Sequence, residues 1–260
     1  MFKNKFWKFQ AKADKSGDLL LYGEISSVSW WGDEVTPKEF KKDLDALGDI
    51  DILNIYVNSP GGDVFAAQAM VSMLKRHSAE KNVYVDGLMA SAATFFTGVG
   101  KVFMPSNAMM MIHNPSALVW GNATDMRKMA DDLDKIRESM LAIYRDKTGM
   151  TDEEIIPLLD AETWMTADDA MEYGFIDEIE EEKKVAASIS NTILTINGIQ
   201  ADMTRFKHSD TLIQKFKPYE KPQDVIISAG KPPEKSEEFR SAPVDLYQKL
   251  VTNHERRTRI

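Results

Sequence analysis

ILNIYVNSPGGDVFAAQAMVSMLK, residues 52–75, carries one complete cycle of the fold's grammar. Ile52–Val57 is a short apolar run rich in β-branched residues, which suits a buried strand. Asn58-Ser-Pro-Gly-Gly62 stops it with turn residues, and a helix-compatible stretch follows from about Phe65 to Lys75. The same order returns downstream. Val83–Val85 reads as a strand, Asp86-Gly87 as a turn and LMASAATFFTGVG (88–100) as a buried helix; Lys101–Met104 and Ala108–Ile112 then read as two strands around Pro105, Ser106 and Asn107. Strands alternating with helices predict an α/β layer fold with crossover connections.

Upstream, DLLLYGEI (18–25) reads as a strand ending at a glycine turn. A helix should begin at Thr36, a capping residue, with Pro37 in the first helical position, Glu39 completing a capping box and Phe40, Leu44 and Leu47 on one face. Downstream, Met126, Met129, Leu133, Ile136, Met140 and Ile143 recur at helical spacing and predict a long helix near 124–148, ended by Gly149. Thr151 with Glu154 and then Thr166 are further helix starts. The expected organisation is an amino-terminal segment over 1–17, a globular domain over 18–184 and a weakly structured or extended appendage over 185–260. Within that appendage NTILTINGI (191–199) suits a weak strand with an Asn-Gly turn, and Lys217–Glu238 carries four prolines among charged residues.

Composition narrows the function. No apolar run approaches the roughly 18 residues of a membrane helix, so no membrane partner is expected. The basic amino terminus lacks the continuous apolar stretch of a secretion signal, which points to the cytoplasm. With no cysteine in 260 residues, disulfides, thiol catalysis and cysteine metal sites are excluded, and any side-chain nucleophile is an oxygen. A net charge of −9 argues against nucleic acid as a partner. The charge is uneven: residues 205–260 hold 12 Lys+Arg against 8 Asp+Glu, and the rest of the chain 20 against 33.

Three short stretches can carry chemistry. The NSPGG loop can expose amide N–H groups to an anion or a developing oxyanion, although it equally suits a plain strand-to-helix turn. Ser91 stands among alanines where a helix would begin, with amides near it and room for a substrate carbonyl; a small serine at a close helix contact is the plainer reading. His113 ends MMMIH, at the carboxyl end of a strand, where functional side chains of open α/β sheets gather. Of the other three histidines, His77 sits at a helix end and His208 and His254 in the appendage, so His113 is the candidate partner if a serine is activated.

Taken in order, NSPGG, GLMASAA, MMMIHNP, GNATDMRK and ETWMTADDAMEYGFID resemble the ClpP serine peptidases over roughly residues 18–180. The resemblance implies a ClpP/crotonase-like spiral of ββα units that binds neither cofactor nor metal. It implies that Ser91 attacks the peptide carbonyl, that His113 takes its proton, and that backbone N–H groups of Gly62 and Ala92 hold the oxyanion. Where most relatives carry aspartate as the third member, this chain has Glu162, with Asp160 a rival two residues away, and Ala161 replaces the arginine common before the acid. ETWMTADDAMEYGF, LYGEI, the Trp30-Trp31 pair and the appended carboxyl-terminal segment are most similar to bacteriophage head-maturation proteases. That similarity implies a homo-oligomeric ring acting on scaffold or capsid proteins, inside a prohead during assembly. A ClpP subunit served by an ATP-driven unfoldase, a crotonase-like acyl-CoA enzyme and an inactive assembly protein are the competing expectations.

Overall fold

The computed structural model describes residues 5–27, 36–183, 187–190 and 192–207. Trp30, Trp31, the proline-rich stretch and a second unit over 221–260 lie outside the described residues. An eight-stranded sheet organises the first unit. Its path runs β1 (Trp7–Ala11), β2 (Ser16–Tyr22), β3 (Ile52–Ser59), β4 (Glu80–Ala90), β5 (Lys101–Pro105), β8 (Glu178–Glu180). β1 pairs antiparallel with β2, and the rest of that path is parallel, as crossover connections require. Two further strands leave it: β6 (Met109–Ile112) runs parallel to β4, and β7 (Thr163–Met165) antiparallel to β6.

One face of the sheet makes the core. Leu53, Ile55 and Val57 of β3 and Val83 and Val85 of β4 are fully buried, in strict alternation along their strands. Against them pack α1 (Pro37–Asp45), α2 (Val64–Arg76), a 3-10 helix (Ser91–Val99) and the end of α3 (Ala123–Thr148). The caps read from sequence are in place: Thr36 Oγ1 accepts from the Glu39 N–H, and Gly149 closes α3 with φ +73°. The chain continues through α4 (Asp152–Asp160) and α5 (Ala167–Glu172). On the opposite face Tyr56, Tyr84 and Phe103 stack across three strands, with centroids 5.2 and 4.9 Å apart.

The α/β expectation holds, with four local differences. Trp7–Ala11 is not a separate leader but an edge strand, and Trp7 is buried against Phe40. Only the last part of α3 enters the core, through Met140, Leu141 and Tyr144, whereas Met126 is exposed. Apolar period alone specifies a face and not how far along the helix that face is covered.

The third difference matters most for the site. Asp86-Gly87 is not a turn: β4 runs through it for eleven residues. Its first half pairs with β5 at Asn82–Tyr84 and its second with β6 at Leu88–Ala90. Gly87, at φ +143°, supplies the bend, and the β3–β4 register shifts between Val57 and Ser59. Asn58 is 1% exposed and spans the irregularity, its Oδ1 accepting from the Leu88 N–H at 3.3 Å.

Fourth, part of the expected appendage is folded. β9 (Ala187–Ser190), β10 (Ile193–Ile196) and β11 (Ile199–Asp202) form an antiparallel sheet whose β10–β11 turn is Asn197-Gly198, both at positive φ. Leu194, Ile196, Ala201, Met203 and Phe206 bury themselves with Leu88, Ala90, Met109, Met111 and Trp164 in a second, smaller core. Asn58 Nδ2 donates to the Ile196 carbonyl at 2.9 Å and Asn197 Nδ2 to the Asp86 carbonyl at 2.7 Å, so this sheet is fixed to the bend of β4. A charge run before it and prolines after it conceal five apolar positions that only tertiary packing pairs with five upstream. Asn58→Leu, which strands the Leu88 N–H and the Ile196 carbonyl, should lower stability by about 1–3 kcal/mol per group left unpaired, measured by urea unfolding.

Candidate active site

Strand register assembles the site. Ala90 is the partner of Met111 in the parallel β4–β6 pair, so the residues just past both ends, Ser91 and His113, come together. Ile112 is the partner of Thr163 in the antiparallel β6–β7 pair, so one step further His113 faces Glu162. Ser91 Oγ lies 2.8 Å from His113 Nε2, and His113 Nδ1 lies 3.8 Å from Glu162 Oε2. A carboxylate facing Nδ1 favours the tautomer with its proton there, which leaves Nε2 to accept from the serine hydroxyl.

Both oxygen residues sit in a backbone conformation that costs energy. Of the four non-glycine residues with positive φ among the described residues, two are Ser91 at +54° and Glu162 at +49°. At Ser91 the extended strand turns directly into the 3-10 helix, and the turn throws the side chain out of the strand end. Thr94 holds this elbow from below: its hydroxyl donates to the Ser91 carbonyl at 2.6 Å and lies 2.7 Å from the buried Tyr144 hydroxyl. Glu162 is 6% exposed, between α4 and β7. Asp160 instead accepts from Asn114 Nδ2 at 2.7 Å and pairs with Arg137 at the surface.

The double glycine fits the Gly61-Gly62 loop against Ser91. A Cβ on Gly61 would stand 2.7 Å from Ser91 Cβ and 2.9 Å from the Ala92 nitrogen; one on Gly62 would stand 2.0 Å from the Ile25 carbonyl oxygen. Ile25 donates to the Gly61 carbonyl and accepts from the Asp63 N–H, as a parallel bridge requires, so the Gly62 N–H is aimed at the other side. Gly62, Ser91 and His113 line one cleft. Ala92 follows Ser91 at the start of the 3-10 helix, where N–H groups have no partner within the helix.

The opposite wall comes from the folded carboxyl-terminal segment, through Ile193, Gln200, Arg205 and Phe206. The Phe206 ring lies 5.9 Å from that of His113 and 5.5 Å, edge-on, from that of Trp164. The Lys207 N–H donates to Glu162 Oε2 at 2.9 Å. Sequence reasoning missed Phe206, Lys207 and the structural role of Asn58. The one available signal was alternation in TILTI beside an Asn-Gly turn, which marks a hairpin but not what it covers. Among the described residues no cluster of three or more histidines or acids could hold a metal, and no helix is long and apolar enough to cross a membrane.

Burial holds the His113 imidazole below its ordinary value; Glu162 raises it and Lys207 lowers it, and burial outweighs the carboxylate. An uncharged imidazole beside a serine hydroxyl is the state in which it can accept a proton.

Comparison with known proteins gives one answer. The sequence model described as Clp protease matches residues 42–183. The chain is 34% identical over 172 residues to ATP-dependent Clp protease proteolytic subunit 3 of Streptomyces coelicolor, covering 64% of this chain and 79% of that protein. It is 37% identical over 141 residues to the ATP-dependent Clp protease proteolytic subunit of Streptococcus gordonii, covering 52% and 72%. Among solved structures, a mutant ClpP1 from Listeria monocytogenes superposes with a TM-score of 0.55 at 26% identity, over 64% of this chain and 92% of that one. Phe206 and Lys207 lie beyond the residues that match the Clp protease sequence model.

The lowered basicity of His113 gives a signed expectation. Its ring should titrate below 6.5 by NMR, and labelling of Ser91 by a fluorophosphonate should decline with acid in parallel, since protonation removes the acceptor at Nε2. A titration at or above 6.5 would contradict the buried, neutral ring.

Proposed function

The chain belongs to the Clp protease family, whose members are serine endopeptidases, and from that premise we propose that Ser91, His113 and Glu162 form its catalytic triad. The observation that carries the assignment is the 2.8 Å contact between Ser91 Oγ and His113 Nε2, at a strained serine and beside a buried carboxylate. Ser91 Oγ adds to the peptide carbonyl while its proton passes to His113 Nε2. The negative charge that develops on the carbonyl oxygen is met by the N–H groups of Gly62 and Ala92, each donor of this kind being worth about 2.7–4 kcal/mol. The imidazolium returns the proton to the leaving amine, and water repeats the sequence on the acyl-enzyme. Glu162 keeps the Nδ1 proton facing it and balances the transient imidazolium. Asp160 is set aside because its partners are Asn114 and Arg137.

Two physiological roles compete. A head-maturation protease that cuts scaffold or capsid proteins as a homo-oligomeric ring in the cytoplasm or prohead is supported by the sequence resemblance over ETWMTADDAMEYGF and LYGEI. The folded segment beyond residue 183, outside the Clp protease match, agrees with a specialised cleft. The names of the relatives, ATP-dependent proteolytic subunits, favour a partner ATPase instead. Digestion of casein by the purified protein alone, at a rate unchanged by a Clp ATPase with ATP, is the expected outcome; strict dependence on the ATPase would select the second role.

For the chemistry, Ser91→Ala and His113→Ala should abolish peptide hydrolysis with melting temperature nearly unchanged. Glu162→Gln should lower kcat by several orders of magnitude at most, about 10⁴-fold where the analogous change has been made in a serine peptidase. Asp160→Asn should leave kcat within about twofold, as for a surface acid. Retained turnover in Ser91→Ala would point to the acyl-CoA class of the fold, and loss in Asp160→Asn would move the acid.

A further inference from the structure

We propose that the carboxyl-terminal segment completes the catalytic apparatus, with the Lys207 backbone N–H positioning Glu162 and the Phe206 ring positioning His113. The inference rests on the triad reading above and deepens it. Glutamate reaches further than aspartate and has one more rotatable bond, so a carboxylate at this position needs more restraint to present one oxygen to an imidazole. The restraint comes from 45 residues away: Lys207 N–H donates at 2.9 Å to Oε2, the same oxygen that lies 3.8 Å from His113 Nδ1. A backbone donor to a carboxylate oxygen fixes the plane of the group.

Phe206 is buried to 7% exposure between two rings, those of His113 and Trp164. Its ring packs against the imidazole at an interplanar angle of 57° and limits its swing. The charged groups around His113 are Glu162 before β7, Lys207 next to Phe206, and Glu24, Asp202 and Arg205 across the cleft, where Arg205 pairs with Glu24 at 2.6 Å. These two positioning residues are themselves anchored, because Met203 and Phe206 belong to the small core that Asn58 and Asn197 tie to β4.

A backbone donor can be deleted without touching the side chain's neighbours. Phe206 has φ −113° and ψ 130°, an extended conformation that a following proline accepts, so Lys207→Pro removes the N–H at little steric cost on that side. In the full-length protein, Lys207→Pro should lower kcat about tenfold or more relative to Lys207→Ala, which loses the same side chain and keeps the N–H, with KM equal in the two. Replacing the Phe206–Lys207 amide by an ester, which deletes only the N–H, should reproduce the proline result if proline perturbs folding. Phe206→Ala should lower kcat and move the acid limb of kcat/KM up toward the ordinary imidazole value as the ring is rehydrated, and Phe206→Trp should restore both.

Equal kcat for Lys207→Ala, Lys207→Pro and the ester would overturn the role of the N–H. So would faster turnover of the ester, which would mean that the donor holds Oε2 away from His113 Nδ1. A change confined to KM in Phe206→Ala would reduce Phe206 to a cleft wall. Wild-type protein without Ser91-dependent hydrolysis would instead sink the peptidase reading. In that case an unmoved NMR titration of His113 in Phe206→Ala still overturns the positioning role, and an upward shift supports it.

Discussion

Asn58 is the contact on which the arrangement depends. Its amide accepts from the Leu88 N–H and donates to the Ile196 carbonyl, so one buried side chain of β3 is bonded to both β4 and β10. The bend it bridges, at Gly87, lets β4 abandon β5 and take up β6 halfway along its length. Without that change of partner Ala90 would not stand beside Met111, and the strand ends carrying Ser91 and His113 would diverge. Catalytic geometry here is a property of register: a parallel pair sets serine beside histidine, and an antiparallel pair sets histidine opposite glutamate. Because side chains alternate in strands, a slip of one residue would turn His113 to the other face.

The sequence was most informative where local chemistry decides structure. Strand 52–57, the NSPGG loop, the helix caps at Thr36, Thr151 and Thr166 and the ending of α3 at Gly149 all follow from periodicity and turn residues, and all are present. Ser91 and His113 could be picked out because each stands at the end of an element with unusual neighbours. Reading failed where a residue's role is fixed by something distant in the chain. Asp86-Gly87 has the composition of a turn, but the partners of β4 on either side make it a bend within a strand. NTILTINGI suits no more than a weak strand and an Asn-Gly turn when read alone, because its apolar partners are Leu88, Met109, Met111 and Trp164, about a hundred residues or fewer away. Met126 belongs to a regular apolar stripe and is nonetheless 52% exposed, since α3 runs past the edge of the core before its last turns reach it.

Strain at Ser91 and Glu162 is held in place by unlike means. Ser91 is braced by bonds within its own neighbourhood, from Thr94 and through it Tyr144, all of which lie in the part of the chain shared with relatives. Glu162 receives its backbone hydrogen bond from Lys207, in the segment beyond that part. In the proposed triad, Ser91 is thus braced from within the residues that match the Clp protease model and Glu162 from beyond them.

That division sets an order in time. A chain emerging from the ribosome presents the Ser91–His113 pair well before residue 207 exists, and β4, β6 and β7 can pair as soon as residue 165 is free. The far wall of the cleft and the N–H that holds Glu162 arrive last, about forty residues later. At the pace of synthesis, roughly 5–20 residues per second, the proposed triad therefore spends a few seconds with Glu162 unsecured. On the proposed triad, an enzyme that cuts protein chains is thereby kept from full strength while its own chain is still unfolded beside it.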